Sequence, residues 1–292
     1  MILAATLVAA VAIGLLLGLL GGGGSILTVP ALIYLGGQQP EAAIAASLVV
    51  VAITSAVALV PHARAGRVDW RTGLTLGSAG LAGAYAGGRL AAYVPASVLL
   101  AVFGLLIGGA AFTMIRACRR PLRVTTRTGQ LPALLGLGTG VGLITGMVGA
   151  GGGFVIVPVL VLLAGLSMPA AVGTSLLVIT MQATAGLFGH LPHATIDWPI
   201  TLAVTALAVA GSLAGARLTD RIPARLLRTT FGWFLTAMAV LILVEQAPAA
   251  VRHALVGTAF GRMVVVAATV ALALIAARHV RSCRSQAAQR ER

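Results

Sequence analysis

Charge is the scarcest commodity in this chain. Of its 292 residues only 9% are charged, against roughly 25% in an ordinary soluble domain. Lysine is missing altogether; the twenty basic residues are all arginine, and the acids number six. So little charge cannot keep a water-exposed surface solvated. With 59% hydrophobic residues and a mean hydropathy of +1.04, the solvent for most of the chain is lipid. Aromatics are also scarce, at 4%, beside 37 glycines. That excludes a core of bulky rings and points to helices packed closely through small side chains. Cysteine is limited to Cys118 and Cys283, which sit beside arginine clusters far apart in sequence and match no ligand spacing, so neither a disulfide nor a metal site is read from them. No basic stretch precedes the first apolar run, which is therefore expected to stay in the mature protein rather than be cleaved as a signal peptide.

A carboxylate inside the membrane is lacking as well. Glu41, Asp69, Asp197, Asp220, Glu245 and Glu291 all fall at predicted span ends or in loops, which leaves no embedded general base, cation site or proton relay. His190 and His193 flank Pro192 in a turn without an acidic partner, and are read as interfacial rather than metal-binding. The run Gly21 to Ser25 has no strand before it and no His and Asp partners, so it is not a nucleophile elbow. No enzyme, cofactor or metal is expected. The net charge of +14 does not point to nucleic acid, because the arginines cluster between apolar runs and in the tail, as topology signals do.

About twenty apolar residues cross a bilayer as a helix. Spans are predicted at 42–60, 72–92, 96–115, 169–189, 198–216, 223–244 and 255–277. Two further apolar stretches, about 3–36 and 130–165, are too long for one helix of ordinary tilt. Each is interrupted by glycines: Gly21, Gly22, Gly23 and Gly24 with Ser25 in the first, Gly149, Gly151, Gly152 and Gly153 in the second. Helices stop at such runs.

Sliding the chain on itself by 128 residues shows an internal duplication. The offset superposes Gly21 on Gly149, Gly24 on Gly152, Pro30 on Pro158, Ser47 on Ser175, His62 on His190, Asp69-Trp70 on Asp197-Trp198, Arg89 on Arg217 and Pro95 on Pro223. Arginines then orient the halves. Arg64, Arg67 and Arg71 mark the loop 61–71 as cytoplasmic, as do Arg116 to Arg127 for the loop after 115, whereas the equivalent loop 190–197 has none. The second half carries its charge at Arg217, Arg221, Arg225 and Arg228, and the tail adds Arg278 to Arg292. The halves are therefore expected to be inverted, each glycine-broken stretch entering and returning as a hairpin.

The expected fold is an all-α polytopic membrane protein of two inverted repeats. Each repeat is a glycine-broken, re-entrant-type helix hairpin plus three transmembrane helices, with an extra C-terminal transmembrane helix. The units are a first membrane repeat (1–116), a basic cytoplasmic linker (117–129), a second membrane repeat (130–245), the extra helix (246–277) and a basic cytoplasmic tail (278–292).

Irregular backbone at membrane depth is tolerated only where protein or a water-filled cavity satisfies it. Broken segments at matching places in two inverted halves point to a transport site near the midplane. The N–H groups that restart each helix, near Ser25 and Gly153, suit an anion. The candidate substrate contacts are Gly22, Gly23, Gly24, Ser25 and Ser47 from the first half, and Gly151, Gly152, Gly153, Thr174, Ser175 and Gln182 from the second. Two readings of the glycine runs stand, the anion site and tight helix crossing; for Gly14, Gly18, Gly142 and Gly146, crossing is preferred. Arg89 and Arg217 are read as snorkelling anchors.

The Gly-rich segments ending in Val-Pro (Gly18 to Pro30, Gly146 to Pro158), the Gly-Thr-Ser-Leu at Gly173 to Leu176, and the His followed by Asp-Trp in both halves resemble the sulfite exporter TauE/SafE family of bacterial membrane transporters. The likeness covers roughly residues 10–245, with a departure at Ala45-Ala46-Ser47, where the family more often has Ala-Thr-Ser. The resemblance implies an inner-membrane permease for sulfite, sulfonates or other small organic anions, with the glycine runs and the Ser and Thr of the two Ser-Leu motifs as substrate contacts. The expected partners are such an anion and the bilayer, with the C-terminus cytoplasmic; an anion channel or a non-transport scaffold is the alternative.

Overall fold

The computed structural model describes residues 2–22, 24–94, 104–105, 107–109, 111–112, 131–148, 152–162, 164–192, 194–219 and 222–245. The predicted helix 255–277, the linker, the tail and most of the span 96–115 lie outside them, as do Gly23 and Gly151. Among the described residues all regular structure is helical: α1 (Ile2–Leu20), α2 (Ser25–Pro30) running into a π-helical turn (Ala31–Leu35), α3 (Pro40–Arg64), α4 (Trp70–Leu90), α5 (Leu131–Val148), α6 (Gly153–Leu162), α7 (Met168–His190), α8 (Trp198–Leu218) and α9 (Ala224–Glu245). Three helices among them are both long and apolar enough to cross a membrane: Glu41–Arg64, Met168–His190 and Trp198–Leu218. The 21-residue α4 is long enough but carries six glycines and two arginines.

Local chemistry sets the ends of these helices, and it does so identically in the two halves. Asp69 caps α4, accepting from the Thr72 N–H at 3.1 Å, and Asp197 caps α8, facing the Ile200 N–H at 3.4 Å; such caps satisfy the orphan donors of a first turn. The tryptophans that follow, Trp70 and Trp198, are each 51% exposed, a placement that suits an indole at a membrane interface. The return arms stop at Gly37 (φ +64°) and Gly165 (φ +69°). There Gln38 N–H donates to the Leu32 carbonyl and Leu166 N–H to the Leu160 carbonyl, both at 3.1 Å, the six-to-one closure that a left-handed glycine permits.

Both broken stretches turn back. A Cβ on Gly24 would run into Ile13 and Leu17 of α1, and one on Gly152 would meet Thr145 of α5 at 2.8 Å. The halves then exchange partners. Helix α1 packs on α8 of the other half, where a Cβ on Gly14 or Gly18 would strike Ala208 or Ser212, and one on Gly211 or Gly215 would strike Val11 or Leu15. Helix α4 packs on α5 with Gly142 against Gly80, Gly146 against Ala84, Gly83 against Thr139 and Gly87 against Leu143. Every one of these contacts maps onto another when 128 is added and the halves are exchanged. The glycines at both crossings stand four apart, so paired small-residue faces bring backbone against backbone. Helices α3 and α7 cross antiparallel at the centre: Leu48 lies against Gly186, and His62 against Gly173.

Candidate functional site

The two glycine breaks meet. A Cβ on Gly153 would lie 2.5 Å from Gly22 Cα, and one on Gly22 would overlap the Gly153 backbone. Gly21, in the left-handed region at φ +68°, touches α7, where a Cβ would lie 2.6 Å from Ser175 Oγ and 2.7 Å from Val172 Cα. Only a residue without a side chain allows this approach. Gly22, Gly24, Gly152 and Gly153 are all buried. The breaks therefore sit in the interior, each sealed by the other.

The hydroxyls around them are committed to backbone. Ser25 Oγ, fully buried, donates to the Gly22 carbonyl at 2.7 Å and closes the first break on itself. Ser47 Oγ donates to Ile44 O at 2.7 Å within α3. Ser175 Oγ lies within reach of two carbonyls, Val172 of its own helix at 2.8 Å and Gly21 of the first break. It thus links the halves across 154 positions of sequence. Thr174 Oγ1 accepts the Asp69 backbone N–H at 2.9 Å, which pins the loop after α3 onto α7. At the equivalent place the first half has Ala46, so that end has no such hydroxyl.

Gln182 differs from all of these. It is 1% exposed, and neither its amide nitrogen nor its oxygen has a hydrogen-bond partner among the described residues. It lines a crevice between α4, α5, α6 and α7 with Leu76, Gly138, Val141, Ile156 and Val159, too narrow to hold a water molecule. The hydroxyls of Thr54 and Ser55 on α3, both fully buried, likewise have no partner among the described residues. The structure thus brings Gly21, Gly22, Gly153 and Ser175 together, and sets Gln182 beyond them along α7.

Two features were not foreseen. The acceptor that Ser175 meets is a backbone carbonyl, invisible to a reading of side chains; only the pairing of Ser47 with Ser175 marked the position. His190, expected at an interface, is 7% exposed, with Nδ1 3.0 Å from Gly186 O in its own helix. Gly186, Gly189 and Gly88 crowd around this end of α7, where backbone without side chains makes room for the ring. Its counterpart His62 is fully buried, with Nε2 3.0 Å from the Gly18 carbonyl. A carbonyl can only accept, so Nε2 carries the proton there. Arg89 and Arg217 are exposed, as anchors would be.

Comparison with known proteins adds a family. The family model described as "Sulfite exporter TauE/SafE" matches residues 6–242. Among curated proteins, a "Probable membrane transporter protein" of Xylella fastidiosa (strain Temecula1) is 31% identical over 243 residues, covering 79% of this chain and 91% of the relative. One from Bacillus subtilis (strain 168) is 28% identical over 237 residues, with 79% and 96% covered. Another from Methanocaldococcus jannaschii is 26% identical over 246 residues, with 79% and 91% covered. No solved structure matches the chain.

Proposed function

The chain belongs to the sulfite exporter TauE/SafE family and is a membrane transporter, and from that premise we propose that it moves a small sulfur-containing anion, such as sulfite or a sulfonate, outward across the bacterial inner membrane by alternating access. The halves are inverted, the loop 61–71 and the C-terminus are cytoplasmic, and the glycine breaks form the substrate site. The observation that carries this reading is the abutment of Gly22 and Gly153 with the Ser175 hydroxyl at the Gly21 carbonyl. Two broken segments, one from each half, meet in the interior, where irregular backbone otherwise has no reason to be placed.

In this reading the described arrangement is the closed, empty site. An arriving anion separates the two breaks and takes the Ser175 proton away from the Gly21 carbonyl. The hydrogen bond that holds the halves together when empty then holds the ligand. With no basic side chain at the breaks among the described residues, backbone N–H groups and neutral hydroxyls supply recognition, each worth roughly 1.5–3 kcal/mol to a charged ligand.

The test is counterflow of radiolabelled sulfite in proteoliposomes. Ser175→Ala should weaken apparent affinity roughly ten- to a hundred-fold while the protein still folds and inserts. A channel would give flux without counterflow, and a scaffold would give neither. Unchanged affinity in Ser175→Ala would remove the hydroxyl from the site.

A further inference from the structure

Among the described residues, Gln182 is a buried amide that the packing does not explain. An amide taken out of water with both ends unpaired is costly, and an apolar residue of similar size would fill the same space without that cost. The chain has made room for it specifically. A Cβ on Gly80 of α4 would lie 2.7 Å from the Gln182 amide carbon and would overlap Nε2. At the equivalent positions stand Thr54 in the first half and Ala208 in the second. The first half has given up a methyl on α4 where the second presents an amide on α7.

The amide is also particular in what it can bind. It offers N–H donors on one side and a carbonyl acceptor on the other, and neither has a partner among the described residues. A fully deprotonated oxyanion satisfies the N–H alone and turns negative oxygen toward the carbonyl. An anion that retains one proton satisfies both in a two-point contact: its O⁻ accepts from Nε2–H, and its O–H donates to Oε1.

Among the described residues, none in the crevice can supply that proton. The other lining residues are Leu76, Gly138, Val141, Ile156 and Val159. The described parts of α5 and α6 contain no titratable residue. On α4 the candidates are Arg71, Tyr85 and Arg89, all exposed. On α7 the only one is His190, eight residues from Gln182 and so about 12 Å along the helix. The proton must arrive on the ligand.

We propose that Gln182, once the arriving anion has parted the breaks and opened the crevice that is closed in the empty state, selects the hydrogen-bearing monoanion of the substrate, hydrogensulfite rather than sulfite dianion, so that a proton crosses with each ligand although the site itself does not titrate. This rests on the anion-transport reading above and narrows its substrate to a protonated oxyanion.

The experiment is sulfite counterflow in proteoliposomes on either side of the second dissociation of the acid, with methanesulfinate and sulfate as competitors. Methanesulfinate has the charge and pyramidal shape of hydrogensulfite but a methyl in place of the hydroxyl. Apparent affinity for total sulfite should fall about tenfold per pH unit once the dianion dominates. Methanesulfinate should compete at least about tenfold more weakly than hydrogensulfite, although the apolar walls would favour its methyl. Sulfate should compete weakly at every pH. In Gln182→Leu the preference for hydrogensulfite over methanesulfinate should disappear. Counterflow in the wild type with equal affinity for the two monoanions, or with affinity independent of pH, would overturn the proposal and leave the transport reading standing. Absence of counterflow with every anion would overturn both.

Discussion

Replacing Gly18 by alanine should be among the most damaging single-methyl changes available in this chain. The new Cβ would lie 2.8 Å from the Ser212 carbonyl carbon and 2.9 Å from its Cα, and would overlap the carbonyl oxygen. These are backbone atoms of α8, so no side chain can swing aside. Ordinary carbon contacts need about 3.5–4.0 Å, so α1 and α8 must part by ~1 Å along a crossing that has Gly14, Gly211 and Gly215 on the same faces. Overpacking of this kind costs about 1–3 kcal/mol. The His62 bond to the Gly18 carbonyl is strained by the same movement, which adds about 1 kcal/mol. Melting in detergent, followed by the fraction that remains monodisperse after heating, should fall by about 5–10 °C. Gly146→Ala should behave alike, because its Cβ would lie 2.7 Å from Ala84 Cα in the equivalent crossing of α5 and α4. Gly140→Ala is the control, since nothing stands within 4 Å of its Cβ position and alanine is the better helix former by about 1 kcal/mol. If Gly140→Ala melted as low as Gly18→Ala, or if Gly146→Ala were silent, the argument from paired crossings would be wrong.

Two further outcomes are expected. Thr174→Val removes the acceptor for the Asp69 N–H and should lower stability by about 1 kcal/mol, while Thr174→Ser should keep it; loss in Thr174→Ser with none in Thr174→Val would show that the methyl, not the hydroxyl, matters there. Single cysteines at 64 and 193 in a background without Cys118 and Cys283 should react with impermeant reagents from opposite faces of the membrane, and labelling of both from one face would refute the inverted arrangement.

Much of this architecture is legible in the sequence, because the signals are local or compositional. Scarcity of charge sets the solvent. The 128-residue offset exposes the duplication, since a shared His, Asp-Trp and Arg cannot recur at one spacing by composition. Asp69 and Asp197 announce their helix starts, and the glycine runs announce where helices stop, because capping and backbone freedom depend on a few neighbouring residues. Glycines spaced four apart likewise mark helices meant for close approach.

Partner choice was not local, and the tertiary structure alone decided it. Small-residue faces on α1, α4, α5 and α8 look alike along the chain; nothing in any of them says that α1 packs on α8 and α4 on α5, an exchange that links positions as far apart as Gly18 and Ser212. The same holds within the site. Ser175 meets the carbonyl of Gly21, and backbone carbonyls are identical at every residue until the fold presents one. Thr174 belongs to a loop contact, and Gln182 is left unpaired beside Gly80, because hydrogen bonding depends on what distant helices bring within 3 Å, and a one-dimensional pattern does not record it.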